Sequence, residues 1–175
     1  MDQAVCITEK HVGNAGHCDS DLLEIADFHA AGDMLFLAEL YWQFCNDLNH
    51  EDTSGLKSFE TPGGKIEVSE AEARIFAYLE SGCGIKVAYY GDVMIGFLIY
   101  QKIFESLYSI RCMFTEPLEG LKLGKRLVNS LQPKHLIFQS QKASPPEKCL
   151  EVTKPFRKKI AEDDNFETWL MPWRV

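Results

Sequence analysis

The sequence has 175 residues, of which 46% are hydrophobic and 25% charged, and a net charge of −8. These proportions suit a soluble globular chain with one core, expected as a single domain over 1–175, and they exclude a disordered tail, a collagen-like repeat and a stapled miniprotein. The charge is uneven: residues 1–118 hold 7 Lys/Arg and 19 Asp/Glu, whereas residues 119–175 hold 11 and 7, which excludes a chain that wraps duplex DNA as a whole and leaves room for an anion site in the C-terminal third.

The N-terminus, MDQAVC, has no basic segment ahead of an apolar run, so no secretory signal is expected. Residues 4–9 predict a first strand. His11, His17 and Cys18 follow in a loop, too few and too loosely spaced for a zinc site. Asp19-Ser20-Asp21 is an N-cap cluster, and Leu22, Leu23, Ile25, Ala26 and His29 recur at helical spacing, predicting a first helix. Asp33 caps a second helix, apolar over most of its surface from Leu35 to Leu48, and therefore buried on more than one side. Residues 49–69 are polar and glycine-rich, a surface loop. Ser69 opens a capping-box pattern with Glu72, predicting a helix to about Ser81.

Three strand-like runs come next. Ile85–Tyr90 ends in the turn Gly91-Asp92, Val93–Ile103 follows, and Leu107–Phe114 completes an antiparallel meander. A glycine loop enters a helix ending before Pro133, His135–Ser140 is a strand, residues 147–161 predict a helix broken near Pro155, and Phe166–Trp173 is a last strand. All apolar runs are shorter than 18 residues, so no membrane span is expected. The six cysteines are scattered with no CxxC pair, which predicts reduced thiols in the cytoplasm.

The informative junction is the strand Leu107–Phe114, the turn Thr115-Glu116-Pro117, the loop Glu119-Gly120-Leu121-Lys122-Leu123-Gly124, and the helix opening at Lys125-Arg126. A helix start leaves its first N–H groups without helical partners at the positive end of the dipole, and glycines let the backbone approach an anion closely. Lys122, Lys125 and Arg126 add positive charge. The junction reads either as a phosphate or carboxylate binder or as a helix with a capping glycine and a solvated basic face.

Two stretches carry a resemblance. VAYYGDVMIGFLIY (Val87–Tyr100) resembles the second and third strands of the GNAT superfamily of N-acetyltransferases, and MFTEPLEGLKLGKRLV (Met113–Val128) resembles its fourth strand and acyl-CoA pyrophosphate loop. In that loop Glu119 stands where Arg or Gln is usual, Lys122 stands at the first pattern glycine, and Gly124 matches the second. The resemblance implies an α/β fold of the α+β type: a mixed, mostly antiparallel central sheet with helices on both faces. It implies acetyl-CoA as cosubstrate, paired with the backbone of Arg111, Cys112, Met113 and Phe114 and laid on the N–H groups of Leu121, Lys122, Leu123, Gly124 and Lys125. An amine would attack the thioester directly.

Candidate bases are Glu105, Tyr108 and Glu116, on or beside the fourth strand, each of which also reads as an ordinary solvated, packing or capping residue. The family's usual acid, a tyrosine after the fifth strand, has no counterpart, because no tyrosine follows Tyr108 and Arg157 stands near its place; Cys149, Ser140, Ser144 or water would then serve. Lys154, Arg157, Lys158 and Lys159 are expected on the last helix, flanking the cofactor. Asp27, Asp33, Glu39 and Asp47 on the acceptor side predict a cationic acceptor, a small molecule or a protein amine. The degenerate loop also fits a catalytically inactive protein of the same fold that binds another protein or itself. Nucleic acid is not expected, since the 154–159 patch lacks a stacking set of aromatics.

Overall fold

The computed structural model describes residues 20–47, 67–116, 122–141, 157–164 and 166–173. After a 3-10 turn at Ser20–Leu22, the elements are β1 (Leu23–Asp27), α1 (Ala30–Asp47), α2 (Val68–Glu80), β2 (Gly84–Tyr90), β3 (Val93–Phe104), β4 (Leu107–Thr115), α3 (Leu123–Asn129), β5 (His135–Gln141), β6 (Lys158–Glu162) and β7 (Phe166–Pro172). The strands form one sheet in the order β1-β2-β3-β4-β5-β7-β6. All neighbours are antiparallel except β4 and β5, where α3 carries the chain over to a parallel strand, as the strand–helix–strand order predicts.

Helices cover both faces. Leu37, Tyr41 and Phe44 of α1 and Ala71 and Ile75 of α2 pack on Val87, Phe97, Ile99 and Cys112. On the opposite face Leu123, Leu127 and Val128 of α3 pack on Ala88, Leu98, Met113 and Leu136. Phe97 is fully buried and sits among aromatic rings, 5.8 Å from Tyr41 and 5.9 Å from Phe44 between centroids. Burial of this kind is the main term holding a sheet between helices.

Two expected elements differ. Residues 23–27, predicted as part of a helix, form β1, which pairs with β2 from Leu23↔Tyr90 to Asp27↔Lys86. Five residues bury little as a helix, whereas the exposed edge of β2 supplies a complete ladder, and Lys86 Nζ closes it with Asp27 Oδ1 at 2.7 Å. Residues 158–161, predicted as the end of a helix, belong to β6. Its five residues are all exposed, so pairing with β7 holds it, with Lys159 Nζ bonded to Glu162 at 2.5 Å and to Glu167 at 3.2 Å. Lys158 and Lys159 therefore lie on an edge strand and not on a helix. The predicted strand at 4–9, the loop at 49–66 and the helix at 147–156 lie outside the described residues.

Candidate functional site

The sheet opens at its centre. β4 and β5 pair only at Leu107↔His135, Tyr108↔Leu136 and Ser109↔Ile137. Beyond that register β4 runs on to Thr115 and β5 to Gln141, and among the described residues neither pairs with the other. The closed end is pinned to the β3–β4 turn, since Ser106 O accepts from Lys134 N at 2.9 Å and His135 N at 3.1 Å. From there β5 follows β7, with which it pairs along its whole length. β4 follows β3 instead, so the two strands part and expose backbone edges with donors and acceptors to spare.

A β-bulge marks the point of parting. Tyr100 faces Ile110 and Ile99 faces Cys112, so Arg111 is an extra residue without a partner on β3. The bulge breaks the alternation of β4. Ile110 packs on the α3 face, yet Cys112, two residues on, packs on the α1/α2 face. Cys112 and Met113 are buried, and Phe114 stacks on Phe97 at 6.1 Å. The side chain of Arg111 donates to Gln101 Oε1 at 2.7 Å.

At the open end, Glu116 N returns to Ile95 O at 2.8 Å, and α3 begins at Leu123. Lys122 precedes it as N-cap with φ 48° and ψ 44°, the left-handed region that a glycine occupies without cost. The family pattern has glycine at this position; here a lysine takes the glycine conformation. The first intrahelical bond runs from Arg126 N to Lys122 O at 3.1 Å, so the N–H groups of Leu123, Gly124 and Lys125 precede the helical ladder. Gly96 lets this end close up. A Cβ there would meet Phe114 O at 3.0 Å and Leu123 Cδ2 at 3.3 Å.

A cavity of about 480 Å³ opens on the α1/α2 face, bounded by Tyr41, Arg74, Tyr78, Ser81 and Arg111 among others. Arg111 brings the cavity wall to the bulge where β4 and β5 part. Arg74 Nη2 bonds Glu70 Oε1 at 2.5 Å, while its Nη1 is buried with no hydrogen-bond partner among the described residues. Burial works against the Arg74 charge, but the bond to Glu70 and the neighbouring Tyr41 and Cys45 outweigh it and raise its pKa. Burial, foremost, and then the neighbouring Cys112 and Tyr78 push the Tyr41 hydroxyl far above the usual phenol range.

The predicted site residues are thus spread along β4 and α3. Arg111, Cys112, Met113 and Phe114 occupy the open half of β4, and Lys122, Leu123, Gly124 and Lys125 the start of α3. Glu116 lies at the open end. Glu105 is exposed in the β3–β4 turn and Tyr108 lies at the closed end, its ring 5.8 Å from Tyr100. Leu121, Ser144 and Cys149 lie outside the described residues, as do the side chain of Ser140 and that of Asp47. Of the other acidic residues assigned to the acceptor side, Asp27 pairs with Lys86 and Asp33 accepts from His29 N at 3.3 Å. Arg157, expected near the missing tyrosine, lies over the Trp169 ring at 4.6 Å.

Sequence reading missed Arg74, Tyr41 and Tyr78. A signal existed for Arg74: it is the one basic residue of α2 and shares the helical spacing of Ala71, Ile75 and Tyr78, all buried.

A strand order with one parallel pair that opens at a bulge, and α3 beginning beyond the opening, can be compared with known folds. An acetyltransferase from Streptococcus agalactiae has 12% identity, a TM-score of 0.55, and coverage of 87% of this chain and 99% of its own. The PaiA N-acetyltransferase of Thermoplasma acidophilum, solved with coenzyme A, has 13% identity, a TM-score of 0.55, and coverage of 86% and 99%. A ribosomal-protein-alanine N-acetyltransferase from Brucella melitensis has 11% identity, a TM-score of 0.55, and coverage of 86% and 99%. The chain has the GNAT acetyltransferase fold. No family model matches the sequence, and no curated protein does. The GNAT-like sheet with helices on both faces, expected from residues 85–131, is therefore present along most of the chain. Among the described residues no helix is long and apolar enough to cross a membrane.

Proposed function

We propose that the protein is a GNAT-type N-acetyltransferase that uses acetyl-CoA and transfers the acetyl group to an amine. The opening between β4 and β5 beyond Ser109↔Ile137 carries this reading. It has the place of an extended ligand: backbone edges along Arg111–Phe114 would pair with a pantetheine arm, and the N–H groups of Leu123, Gly124 and Lys125, with Lys122, Lys125 and Arg126 around them, would meet the pyrophosphate. The PaiA relative in fold was solved with coenzyme A, which supports the same cosubstrate here.

In this reading the neutral amine attacks the thioester carbonyl carbon and a C–N bond forms. The carbonyl oxygen takes the charge, and the peptide groups freed by the bulge at Arg111 stand by to stabilise it. The C–S bond then breaks, the sulfur leaves as thiolate and takes a proton, and the nitrogen loses one. Glu105, Tyr108 and Glu116 remain the candidate bases and Cys149 the candidate acid; of the three bases Tyr108 is nearest the bulge, three residues from Arg111 or roughly 10 Å along the strand. The acceptor is a small-molecule or protein amine, and the acidity of the first two-thirds of the chain favours one that is cationic. Among the described residues Cys45, Cys83 and Cys112 are buried thiols outside any disulfide, which supports a cytoplasmic location.

One observation favours a second reading, a protein-binding role on the same fold. Leu35, Phe36 and Trp42 of α1 and Phe76 of α2 are exposed. Calorimetry with acetyl-CoA, followed by release of free CoA against an amine panel, separates the two. Binding and turnover support the enzyme. No heat at millimolar acetyl-CoA, together with a stable complex with another protein, rejects it.

A further inference from the structure

The cavity beside the β4 bulge has a polarity that the overall charge does not foretell. Two guanidiniums, Arg74 and Arg111, line it together with the Tyr41 and Tyr78 rings, in a chain whose net charge is −8. Arg111 donates to the neutral Gln101 amide, and among the described residues no carboxylate pairs with it. Arg74 shares one nitrogen with Glu70, which is itself half exposed, and buries the other without a partner among the described residues. Like charges facing one cavity repel, and the repulsion is relieved when an anion enters between them.

We propose that Arg74 and Arg111 hold a carboxylate of the acceptor, so that the amine substrate is a small amino-acid-like molecule carrying both an ammonium and a carboxylate. The inference rests on the acetyltransferase reading, which makes this cavity the acceptor's. Guanidinium groups match a carboxylate with paired donors, and a cavity of about 480 Å³ is of small-molecule size. Arg111 lies two residues past Ser109, the last β4 residue paired with β5. A carboxylate anchored there places the attached amine beside the opening, where the thioester would lie. The acidity of the chain draws the ammonium end, and the arginines select the carboxylate end. A polyamine, cationic throughout, is rejected by the same pair.

The test uses the full chain, acetyl-CoA, the proteinogenic L-amino acids, and the matched amide of each. Turnover is read as CoA release, and binding of the amino acids is read separately by calorimetry. Expected is a kcat/KM for the best acid at least about tenfold above its amide, the size of a lost charged hydrogen bond. In Arg111→Gln that ratio falls to about twofold or less, while Arg111→Lys, which keeps the charge, retains part of it. The comparison of acid with amide on the unaltered protein needs no variant to fold, and melting curves check the variants. Turnover with no preference for acids overturns the carboxylate site and leaves the acetyltransferase reading standing. Acid-selective binding without any CoA release upholds the site and overturns the acetyltransferase reading. Neither binding nor release overturns both.

Discussion

The indole N–H of Trp173 donates to Asn129 Oδ1 over 2.7 Å, joining the end of β7 to the last residue of α3. The same tryptophan also gives its backbone N–H to Lys134 O at 2.8 Å. It therefore clamps α3 to the start of β5, and its ring is buried in the α3-face core. Trp173→Phe keeps most of the apolar volume but leaves Asn129 without this donor. A loss of about 1 kcal/mol is expected, seen as a fall in Tm of about 2–4 °C. A melting curve unchanged within 1 °C (about the usual reproducibility) would show the clamp to be idle.

Acetyl-CoA binding depends on the start of α3. Lys125 is exposed there, with its N–H ahead of the first helical bond. Lys125→Glu replaces an attractive charge with a repulsive one near the expected pyrophosphate, and acetyl-CoA affinity should fall about tenfold at low salt. At about 0.5 M salt the gap between the two proteins should narrow, because an exposed charge is screened. Calorimetry at two salt concentrations reads both effects. Equal affinities at low salt would place the pyrophosphate elsewhere.

Alkaline pH should unfold the protein through its buried acids. Burial chiefly pushes the Cys45 thiol from its ordinary 9.0 up to about 11, against the opposing pull of its bonds to Tyr41 and of the Arg74 charge. The unfolded chain sheds this proton near pH 9 and the folded chain keeps it to about 11, so in that window the folded state binds more protons. Stability is then full below pH 9 and declines as pH rises, by on the order of 2 kcal/mol. The Tyr41 hydroxyl, raised mainly by burial, adds to the loss above pH 10, its ordinary value. Cys45→Ala should melt lower at neutral pH because it leaves a cavity, yet its Tm should fall less between pH 9 and 10. Parallel declines in the two proteins would remove Cys45 as the cause.

Much of this architecture was legible in the residues. The meander from Ile85 to Phe114 was read because Gly91-Asp92 makes a hairpin turn and the flanking runs are too apolar and β-branched for a surface helix. The helix at Val68–Glu80 and the strand at Phe166 are legible too, although the helix is capped at Glu67 with no side-chain cap bond and Ser69, expected to open it, lies inside its first turn. β1 was hidden because Leu22, Leu23, Ile25 and Ala26 satisfy a helical pattern as well as a strand one over so few residues, and only the edge of β2 decides between them. β6 was hidden because Lys-Lys-Ile-Ala-Glu is a good helical composition, and pairing with β7 overrides it. The strand carrying Arg111 and the loop at Lys122 are legible from local pattern, and the resemblance adds the cofactor expected along them. The cavity was not, because a bulge in β4 turns Arg111 toward Arg74 of a helix distant in sequence, and no local pattern encodes that meeting.

Lys122 joins sequence departure and backbone shape in a single residue. Its φ of 48° is unfavourable for an L-residue by about 1–2 kcal/mol. Glycine avoids that cost but gives up about 0.5–1 kcal/mol more chain entropy on folding. Lys122→Gly should therefore gain about 0.5 kcal/mol, a rise in Tm of about 1–2 °C, whereas Lys122→Ala keeps the Cβ and should gain nothing. The side chain is exposed, so neither change loses packing. For acetyl-CoA the two variants should behave alike, each weakening affinity by about two- to fivefold, if the ammonium pairs with the pyrophosphate. Tighter binding by the glycine variant alone would mean that the lysine crowds the phosphate. A lower Tm for Lys122→Gly would contradict the strain account, whatever happens to binding.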